Sequence, residues 1–417
     1  MIEKTVLENG VRLVTERLPD AYSVTVGFWL EVGSRDETLP QGGASHFIEH
    51  MAFKGTATRG PRDIARDIDR MGGMANAFTG KEHTCFHVRA LSQHLPDICD
   101  LLLDMVLRPA YDPVELERER QVILQEISAV EDTPDDLVHV LFGENFWPDH
   151  PLGRPVLGRV ETVASLGRQD LLDYQSAFYR PQGIVVAAVG NLEHQQLVDL
   201  VAEALGKIKP GRGDAGRRPA QASPGLHVKL RELEQVHITM GAPAPSAVDG
   251  DRFAAALLNL ILGGNMSSRL FQEVRERRGL AYSVYSYLQP YSDSGMLGVY
   301  LGVSPRRACE AVKVTRGEME KLAAGPIEQR ELDDARDNLK GSILLAAENP
   351  ENRMSRLARN ELFFGRAIPL EEVLANIDAV TLEDVSRLAA QVLNPEHLGA
   401  TVLGTVDVRT ACTEMGW

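Results

Sequence analysis

The chain reads Tyr179-Arg-Pro-Gln-Gly-Ile-Val-Val-Ala-Ala-Val-Gly190 near its middle and Leu393-Asn-Pro-Glu-His-Leu-Gly-Ala-Thr-Val-Leu-Gly404 near its end. Both stretches predict a turn followed by a short buried strand. A second pair of segments has the same order, because the helical stretch from Glu115 to Pro134 is echoed by the one from Glu331 to Pro350. The pairs keep a near-constant offset of about 216 positions, which predicts an internal duplication.

The length of the chain also indicates two domains, since 417 residues exceed the ~250 to 300 at which single hydrophobic cores stop growing. Residues 207–225 are rich in glycine, proline and arginine, which is typical of a linker. We therefore predict homologous domains at 1–206 and 226–417. Helical periodicities alternate with strand-like runs, so the predicted class is α+β, with a mostly antiparallel β-sheet packed with α-helices in each domain.

The balance of charge excludes some partners. The formal net charge of −15, from 59 acidic and 44 basic side chains, argues against a protein that wraps nucleic acid. A negative surface attracts basic peptides, but it equally keeps a protein dissolved, and the composition alone leaves both interpretations open.

The cysteines and the N-terminus indicate the compartment. Cys85, Cys99, Cys309 and Cys412 form neither a C-x-x-C site nor a dense disulfide framework, which favours a reducing environment. The first residues resemble neither a signal peptide nor a transit peptide, and no apolar run reaches the ~18 residues needed to span a bilayer. We predict a cytoplasmic protein of a bacterial cell, without a membrane span.

The clearest chemical signal is Gly42-Gly-Ala-Ser-His-Phe-Ile-Glu-His-Met51. On a helix His46 and His50 lie one turn apart on the same face, so both can offer a ring nitrogen to one metal ion. Glu49 lies on that face too, where a carboxylate can take a proton from a water molecule activated by the metal. This spacing is the H-x-x-E-H arrangement of inverted zinc peptidases.

A surface helix that carries two histidines and a glutamate by chance is the alternative, because so short a motif is suggestive rather than decisive. Gly43 or Ser45 could cap the predicted helix. Catalytic zinc usually takes three protein ligands, and the carboxylate-rich helix from Val114 to Val130 offers two candidates. Glu119 and Glu126 lie two turns apart on one side of it, and the residues alone leave the choice between them open.

Here the sequence resembles the pitrilysin family of zinc peptidases, on H-F-I-E-H-M-A-F-K-G-T from His46 and on E-R-E-R-Q-V-I-L-Q-E-I, which ends just after Glu126. Within that family it most resembles the branch that contains the catalytic (beta) subunit of the mitochondrial processing peptidase and its bacterial homologues. The resemblance covers essentially the whole chain. It implies one Zn2+ per chain, held by His46, His50 and Glu126, with Glu119 supporting the site by hydrogen bonding.

The resemblance also implies residues that bind the substrate. An arginine and a tyrosine seven residues apart match Arg275 and Tyr282, which would hold the peptide and stabilise the tetrahedral oxyanion; alternatively Tyr282 is a packed aromatic beside a basic surface. The segment containing Asn76, Ala77 and Phe78 resembles an edge strand to which an extended peptide adds as another strand.

The second repeat has lost the metal-binding residues. It carries Ala255-Ala-Leu-Leu-Asn-Leu-Ile-Leu-Gly263 where the first repeat has the H-x-x-E-H motif, and Ala335 and Ser342 where the first has Glu119 and Glu126. We therefore predict a catalytic domain followed by a homologous domain that clamps the substrate.

The predicted function is that of a zinc-dependent metalloendopeptidase, which hydrolyses extended peptides or presequence-like segments inside a closed chamber. The predicted assembly is a homodimer, or a heterodimer with a homologous subunit. A non-catalytic assembly or activating subunit of a processing-peptidase-like complex is the alternative function.

Overall fold

The computed structural model describes residues 2–213, 216–406 and 410. Two residues of the predicted linker, 214 and 215, and Cys412 therefore lie outside the described residues. The fold is mixed α and β and comprises two compact units, each with its own sheet. The α+β class predicted from the sequence is confirmed. No described helix is both long and apolar enough to cross a bilayer.

The strands follow one another along the chain as β1 Ile2–Val6, β2 Arg12–Arg17, β3 Ser23–Leu30, β4 Met74–Thr79, β5 Thr84–Leu91, β6 Ile184–Gly190, β7 Gly225–Leu230, β8 Val236–Pro243, β9 Ala281–Pro290, β10 Gly295–Val303 and β11 Gly399–Gly404. The helices are α1 Ala44–Ala52, α2 Pro61–Arg70, α3 Leu95–Leu107, α4 Pro113–Asp132, α5 Pro134–Phe146, α6 Val160–Ser165, α7 Arg168–Phe178, α8 His194–Gly206, α9 Arg252–Asn259, α10 Ala308–Ala324, α11 Gln329–Ala346, α12 Pro350–Phe364, α13 Leu370–Ala379 and α14 Leu382–Val392. Two π-helical segments occupy Leu260–Gly264 and Phe271–Arg277.

Unit 1 contains a six-stranded sheet in the order β1-β2-β6-β3-β5-β4. A hairpin joins β1 to β2, and Gly10 supplies the positive φ of 102° that its turn requires. Strand β6 runs parallel to β2, and the other neighbouring strands are antiparallel. Every residue of β6 is buried, as expected for a central apolar strand. Strand β4 lies at one edge of the sheet.

Unit 2 repeats this topology with the order β7-β11-β8-β10-β9. Its one parallel pair joins β7 to β11, which corresponds to the pairing of β2 with β6. The helices also follow in the same succession, so α9 with its π-helical extension occupies the place of α1, and α11 that of α4. The predicted internal duplication is therefore visible as two copies of one fold.

Two helices depart from the chain order of the repeats. Helix α5 belongs to unit 2, although it comes from the first repeat, and α12 belongs to unit 1, although it comes from the second. In unit 1, Met354 and Leu357 of α12 are buried in a cluster with Trp29, and the Met354 sulfur lies 3.0 Å from the Trp29 indole nitrogen. In unit 2, Phe142 of α5 packs in a cluster with Met296. Burying each such side chain contributes roughly 1.5 to 3 kcal/mol.

Candidate metal centre

Helix α1 carries the H-x-x-E-H motif, and residues that precede the motif stabilise the N-terminus of this helix. Gly43 precedes the helix with φ of 94°, a conformation that favours glycine. The cap comes from Glu37, because its two carboxylate oxygens each accept a hydrogen bond of 2.8 Å, from the backbone N–H groups of Gly43 and Ser45. Burial raises the pKa of Glu37 to about 7. A carboxylate at this end of the helix is favoured by the helix dipole.

The His46 and His50 rings lie side by side with their centroids 4.6 Å apart. Glu126 reaches them from α4, with its Oε2 atom 3.7 Å from His46 Nε2 and 3.6 Å from His50 Nε2. Helix α4 begins after Asp112, whose side chain accepts hydrogen bonds from two backbone N–H groups of the first turn. The structure therefore brings one atom from each of the three predicted ligands to within 4.8 Å of the others.

The converging atoms fit a zinc ion in number, type and spacing. Two imidazole nitrogens and one carboxylate oxygen are a common ligand set of catalytic zinc, and bonds of ~2.0 to 2.1 Å in a tetrahedron place neighbouring ligands roughly 3.3 to 3.5 Å apart. The Glu126 side chain is 41% exposed, against 12% for His46 and 17% for His50. The site is therefore open on the Glu126 side, where water and substrate would enter.

Glu119 occupies a different place from Glu126, although it lies on the same helix. Its Oε2 atom lies 3.0 Å from His50 Nδ1, and its Oε1 atom forms a 2.8 Å ion pair with Lys54. A carboxylate at Nδ1 holds the proton on that nitrogen, which leaves the lone pair of His50 Nε2 free for a metal. The geometry thus separates the two glutamates that the residues alone left equivalent.

Glu49 is half-buried on the same helix as the two histidines. Burial raises its pKa, and hydrogen bonds from the hydroxyl and the backbone N–H of Thr79 act in the opposite direction. Its Oε2 atom has no hydrogen-bond partner among the described residues. A raised pKa and an unpaired oxygen suit a group that accepts a proton from water and later returns it.

His46 is neutral at physiological pH. Burial lowers its pKa to about 4, and the neighbouring His50 acts in the same direction. Because an unfolded histidine takes up a proton near pH ~6.5, the metal-free protein loses stability as the pH falls from that value towards 4, by up to ~3 kcal/mol. Above pH ~6.5 this contribution is fully present.

Urea unfolding of the chelator-treated protein at several pH values measures this effect. We expect the free energy of unfolding of His46→Gln to depend less on pH between 6.5 and 4 than that of the wild type. Equal pH dependence of both proteins would contradict the assignment of a buried neutral imidazole to His46.

The predicted substrate strand is β4, at the edge of the sheet of unit 1. Asn76 is exposed, Ala77 is buried, and the Phe78 ring packs edge-on against Trp29 at 5.3 Å. Thr79, the last residue of β4, lies next to α1, because its hydroxyl is 3.5 Å from the Ser45 carbonyl oxygen. Within the described residues, one side of β4 is paired with β5, and its other side is unpaired.

Arg275 and Tyr282 lie together in unit 2. The Arg275 Nη1 atom donates a 2.9 Å hydrogen bond to the Tyr282 carbonyl oxygen, and its guanidinium lies 4.9 Å from the centre of the Tyr282 ring. Tyr282 is 81% exposed, so it is not the packed aromatic of the alternative interpretation. The guanidinium also lies over the Phe271 ring at 4.8 Å.

The second repeat offers no comparable metal centre among the described residues. The helix in the place of α1 carries Leu262 and Gly263 in its π-helical extension, and α11 carries Ala335 and Ser342. None of these side chains is a metal ligand of the usual kinds. The described part of the chain thus has one His-His-Glu group, in unit 1.

The H-x-x-E-H motif on its helix is the pattern of the inverted zinc peptidases, and here it lies in a duplicated α+β fold. The comparisons agree, because residues 12–160 match the family model "Insulinase (Peptidase family M16)" and residues 165–339 match "Peptidase M16 inactive domain". The chain belongs to peptidase family M16, the pitrilysin family.

The relatives extend over nearly the full chain. An uncharacterized zinc protease of Mycobacterium tuberculosis is 43% identical, covering 96% of this chain and 92% of that protein. The uncharacterized zinc protease YmxG of Bacillus subtilis is 38% identical, covering 96% and 98%. A solved structure of a protease from Helicobacter pylori matches with a TM-score of 0.90 at 21% identity, covering 97% of this chain and 99% of that one. This last likeness shows the fold alone.

Sequence reasoning missed three residues that shape the site. Glu37 caps α1 from six positions before Gly43, and no local motif marks it. Thr79 is hydrogen-bonded to Glu49 from the end of the strand that contains Phe78. Lys54 pairs with Glu119, and its position one helical turn after His50 is the one signal that could have identified it.

Proposed function

We propose that this chain is a zinc-dependent endopeptidase that hydrolyses extended peptides, with presequence-like segments among them, inside a closed chamber. The observation that carries the proposal is the convergence of His46, His50 and Glu126 within 4.8 Å of one another, with Glu49 beside them. Relatives named zinc proteases support it. One Zn2+ per chain is the implied cofactor.

Each side chain of the site then has a chemical role. Bound zinc would lower the pKa of water towards ~7 and polarise the scissile carbonyl. Glu49 accepts a proton from the attacking water and passes it to the leaving amine, as its half-buried and partly unpaired carboxylate allows. Glu119 keeps His50 oriented through Nδ1.

The peptide would bind by adding a strand to the unpaired side of β4. Backbone hydrogen bonds at such an edge fix the position of the peptide with little regard to its sequence. Asn76 and Met74 are exposed on this strand, and their side chains would be available to a bound peptide. The guanidinium of Arg275 and the phenol of Tyr282 would donate hydrogen bonds to the oxyanion.

The experiment that tests the function combines metal analysis with cleavage of a quenched fluorescent peptide. We expect about one zinc per chain, loss of cleavage after chelation, and recovery when zinc is restored. A protein that binds zinc but cleaves no extended peptide would favour the alternative, a non-catalytic assembly or activating subunit. The complete His-His-Glu group argues against that alternative.

A homodimer would supply the second half of the chamber, with Arg275 and Tyr282 of one protomer serving the metal site of the other. Mixing Glu49→Gln with Tyr282→Phe under conditions of subunit exchange tests this arrangement. Half of the dimers would be mixed, and each would regain one of its two sites, so activity should recover to roughly a quarter of wild type.

The matched control mixes Glu49→Gln with Glu126→Gln. Both changes lie in the metal-binding half of the site, so no mixed dimer contains an intact site and the mixture should stay inactive. Proven exchange without recovery in the first mixture would contradict the shared site. Activity that requires a homologous subunit, and is absent from the homodimer, would identify the other predicted assembly.

A further inference from the structure

Arg217 lies in the segment 207–225 that was predicted to be a linker, yet its side chain is anchored in unit 1. Its Nε atom donates a 2.6 Å hydrogen bond to Asp36 Oδ1, and its Nη2 atom donates another of 2.6 Å to Asp36 Oδ2. The two side chains therefore form a bidentate pair. Nη2 also donates to the carbonyl oxygens of Glu31, at 3.3 Å, and Glu82, at 3.0 Å. The Arg217 side chain is 18% exposed and that of Asp36 only 3%. A fork of this kind fixes the position of both partners.

Asp36 stabilises a tight loop that leads into α1, the metal helix, which carries His46, Glu49 and His50. Its Oδ2 atom accepts a 2.9 Å hydrogen bond from the Gly33 backbone N–H, and its own backbone N–H donates to the Gly33 carbonyl oxygen. The loop is also tied to the turn between β4 and β5, since the backbone N–H of Ser34 donates to the Gly80 carbonyl oxygen, and the buried Arg35 and Glu82 side chains form an ion pair of 2.6 Å.

The next residue after Asp36 is Glu37, the cap of α1. Both of its carboxylate oxygens are engaged by backbone N–H groups at the start of the helix. His46 lies in the first turn of that helix, shortly after Ala44. The orientation of the metal helix therefore depends on where Glu37 is held. Arg217, Asp36 and Glu37 form a continuous connection from the segment 207–225 to α1, in which Asp36 and Glu37 are buried.

We propose that Arg217 is a positioning residue for the metal centre, which fixes the orientation of α1 through Asp36 and Glu37. The inference rests on the proposed zinc site and deepens it, because it assigns a role in metal binding to a side chain far from the ligands in the sequence. The segment 207–225 then does more than join the two repeats. It holds one end of the helix on which two metal ligands and the proton acceptor lie.

Arg217→Gln tests the proposal, and Arg212→Gln is its matched control. Arg212 lies in the same segment and pairs with Glu31 at 2.6 Å, but its side chain is 62% exposed and it does not belong to the connection through Asp36. Zinc affinity is measured by competition with a chelator. We expect Arg217→Gln to lower the zinc affinity by the roughly 10- to 100-fold typical of substitutions at residues that support the metal ligands. Arg212→Gln should leave the zinc affinity unchanged.

Amide hydrogen exchange distinguishes positioning from a general loss of stability. Arg217→Gln should speed exchange at the backbone N–H groups of Gly43 and Ser45, while α8, a helix of the same unit, keeps its wild-type protection. Arg217→Lys keeps the charge but cannot donate two parallel hydrogen bonds to Asp36. Its exchange rates at Gly43 and Ser45 should therefore lie between those of the wild type and those of Arg217→Gln. If Arg217→Gln does not fold, Asp36→Asn, which keeps the shape of the side chain, takes its place with the same expected results.

Wild-type zinc affinity together with unchanged exchange at Gly43 and Ser45 in Arg217→Gln would overturn the proposal. Uniformly faster exchange throughout unit 1 would overturn it as well, because it would assign Arg217 a structural role only. If the wild-type protein bound no zinc, the proposed function would fail, whereas the exchange measurement would still report whether Arg217 orients α1.

Discussion

Glu49→Gln is expected to remove peptide hydrolysis while leaving about one zinc per chain bound. Glutamine has the same shape as glutamate but cannot accept the proton of the attacking water, and general base catalysis typically contributes ~10²- to 10⁴-fold. Glu49 is not among the three converging ligands, so the metal should stay. The measurements are the initial rate on a quenched peptide and the zinc content of the purified variant.

Glu131→Gln serves as the control, because Glu131 is an exposed glutamate at the end of α4. It should leave both the rate and the zinc content unchanged. A Glu49→Gln protein that loses its zinc would show that Glu49 is a ligand. A variant that retains most of its activity would show that another group accepts the proton.

Glu126→Gln should lower both zinc affinity and activity, and by more than Glu119→Gln. Glu126 brings a charged oxygen to the point where the two Nε2 atoms converge, and a neutral amide is a poorer ligand for zinc. Glu119 acts only through His50 and Lys54, so its removal should cost the ~10- to 100-fold typical of such supporting groups. Chelator competition on both variants measures the difference.

These two glutamates form a matched pair on one helix. If Glu119→Gln emptied the site and Glu126→Gln did not, the assigned roles would be reversed. Equal losses would indicate that the carboxylate of Glu119 contributes as much to metal binding as a direct ligand does.

Much of the fold could be predicted because local patterns determine it. The turn at Gly10 and the apolar run of β6 are decided by residues close together in the chain, and the strand predicted within 179–190 appears as β6. The duplication was visible because the repeats keep their order, and the two sheets show it directly. Helix α4 runs from Pro113 to Asp132, close to the predicted Val114 to Val130, since a proline lies near each end of its periodic stretch.

The exchange of α5 and α12 between the repeats could not be read from the sequence. An apolar helix face shows that a partner exists, but not which of two homologous sheets provides it. The division at 207–225 remains a prediction about the repeats, whereas the compact units cross it. Arg217 was missed because its partner Asp36 lies far along the chain, and Glu37 was missed because it lies outside the motif whose backbone N–H groups it binds.

At the site, the spacing of His46 and His50 indicated that both could bind one metal ion. It could not distinguish Glu119 from Glu126, because both lie on one side of α4. The distinction depends on how α4 lies against α1, and that is decided by packing rather than by spacing.

Anomalous diffraction from crystals of the zinc-loaded protein, recorded on both sides of the zinc absorption edge, tests the central claim most directly. We expect one zinc peak in unit 1, ~2.0 to 2.1 Å from the Nε2 atoms of His46 and His50 and ~2.0 to 2.2 Å from a carboxylate oxygen of Glu126. A peak bound to Glu119 or to other side chains, or no peak at this point in a protein that cleaves peptides, would contradict the account.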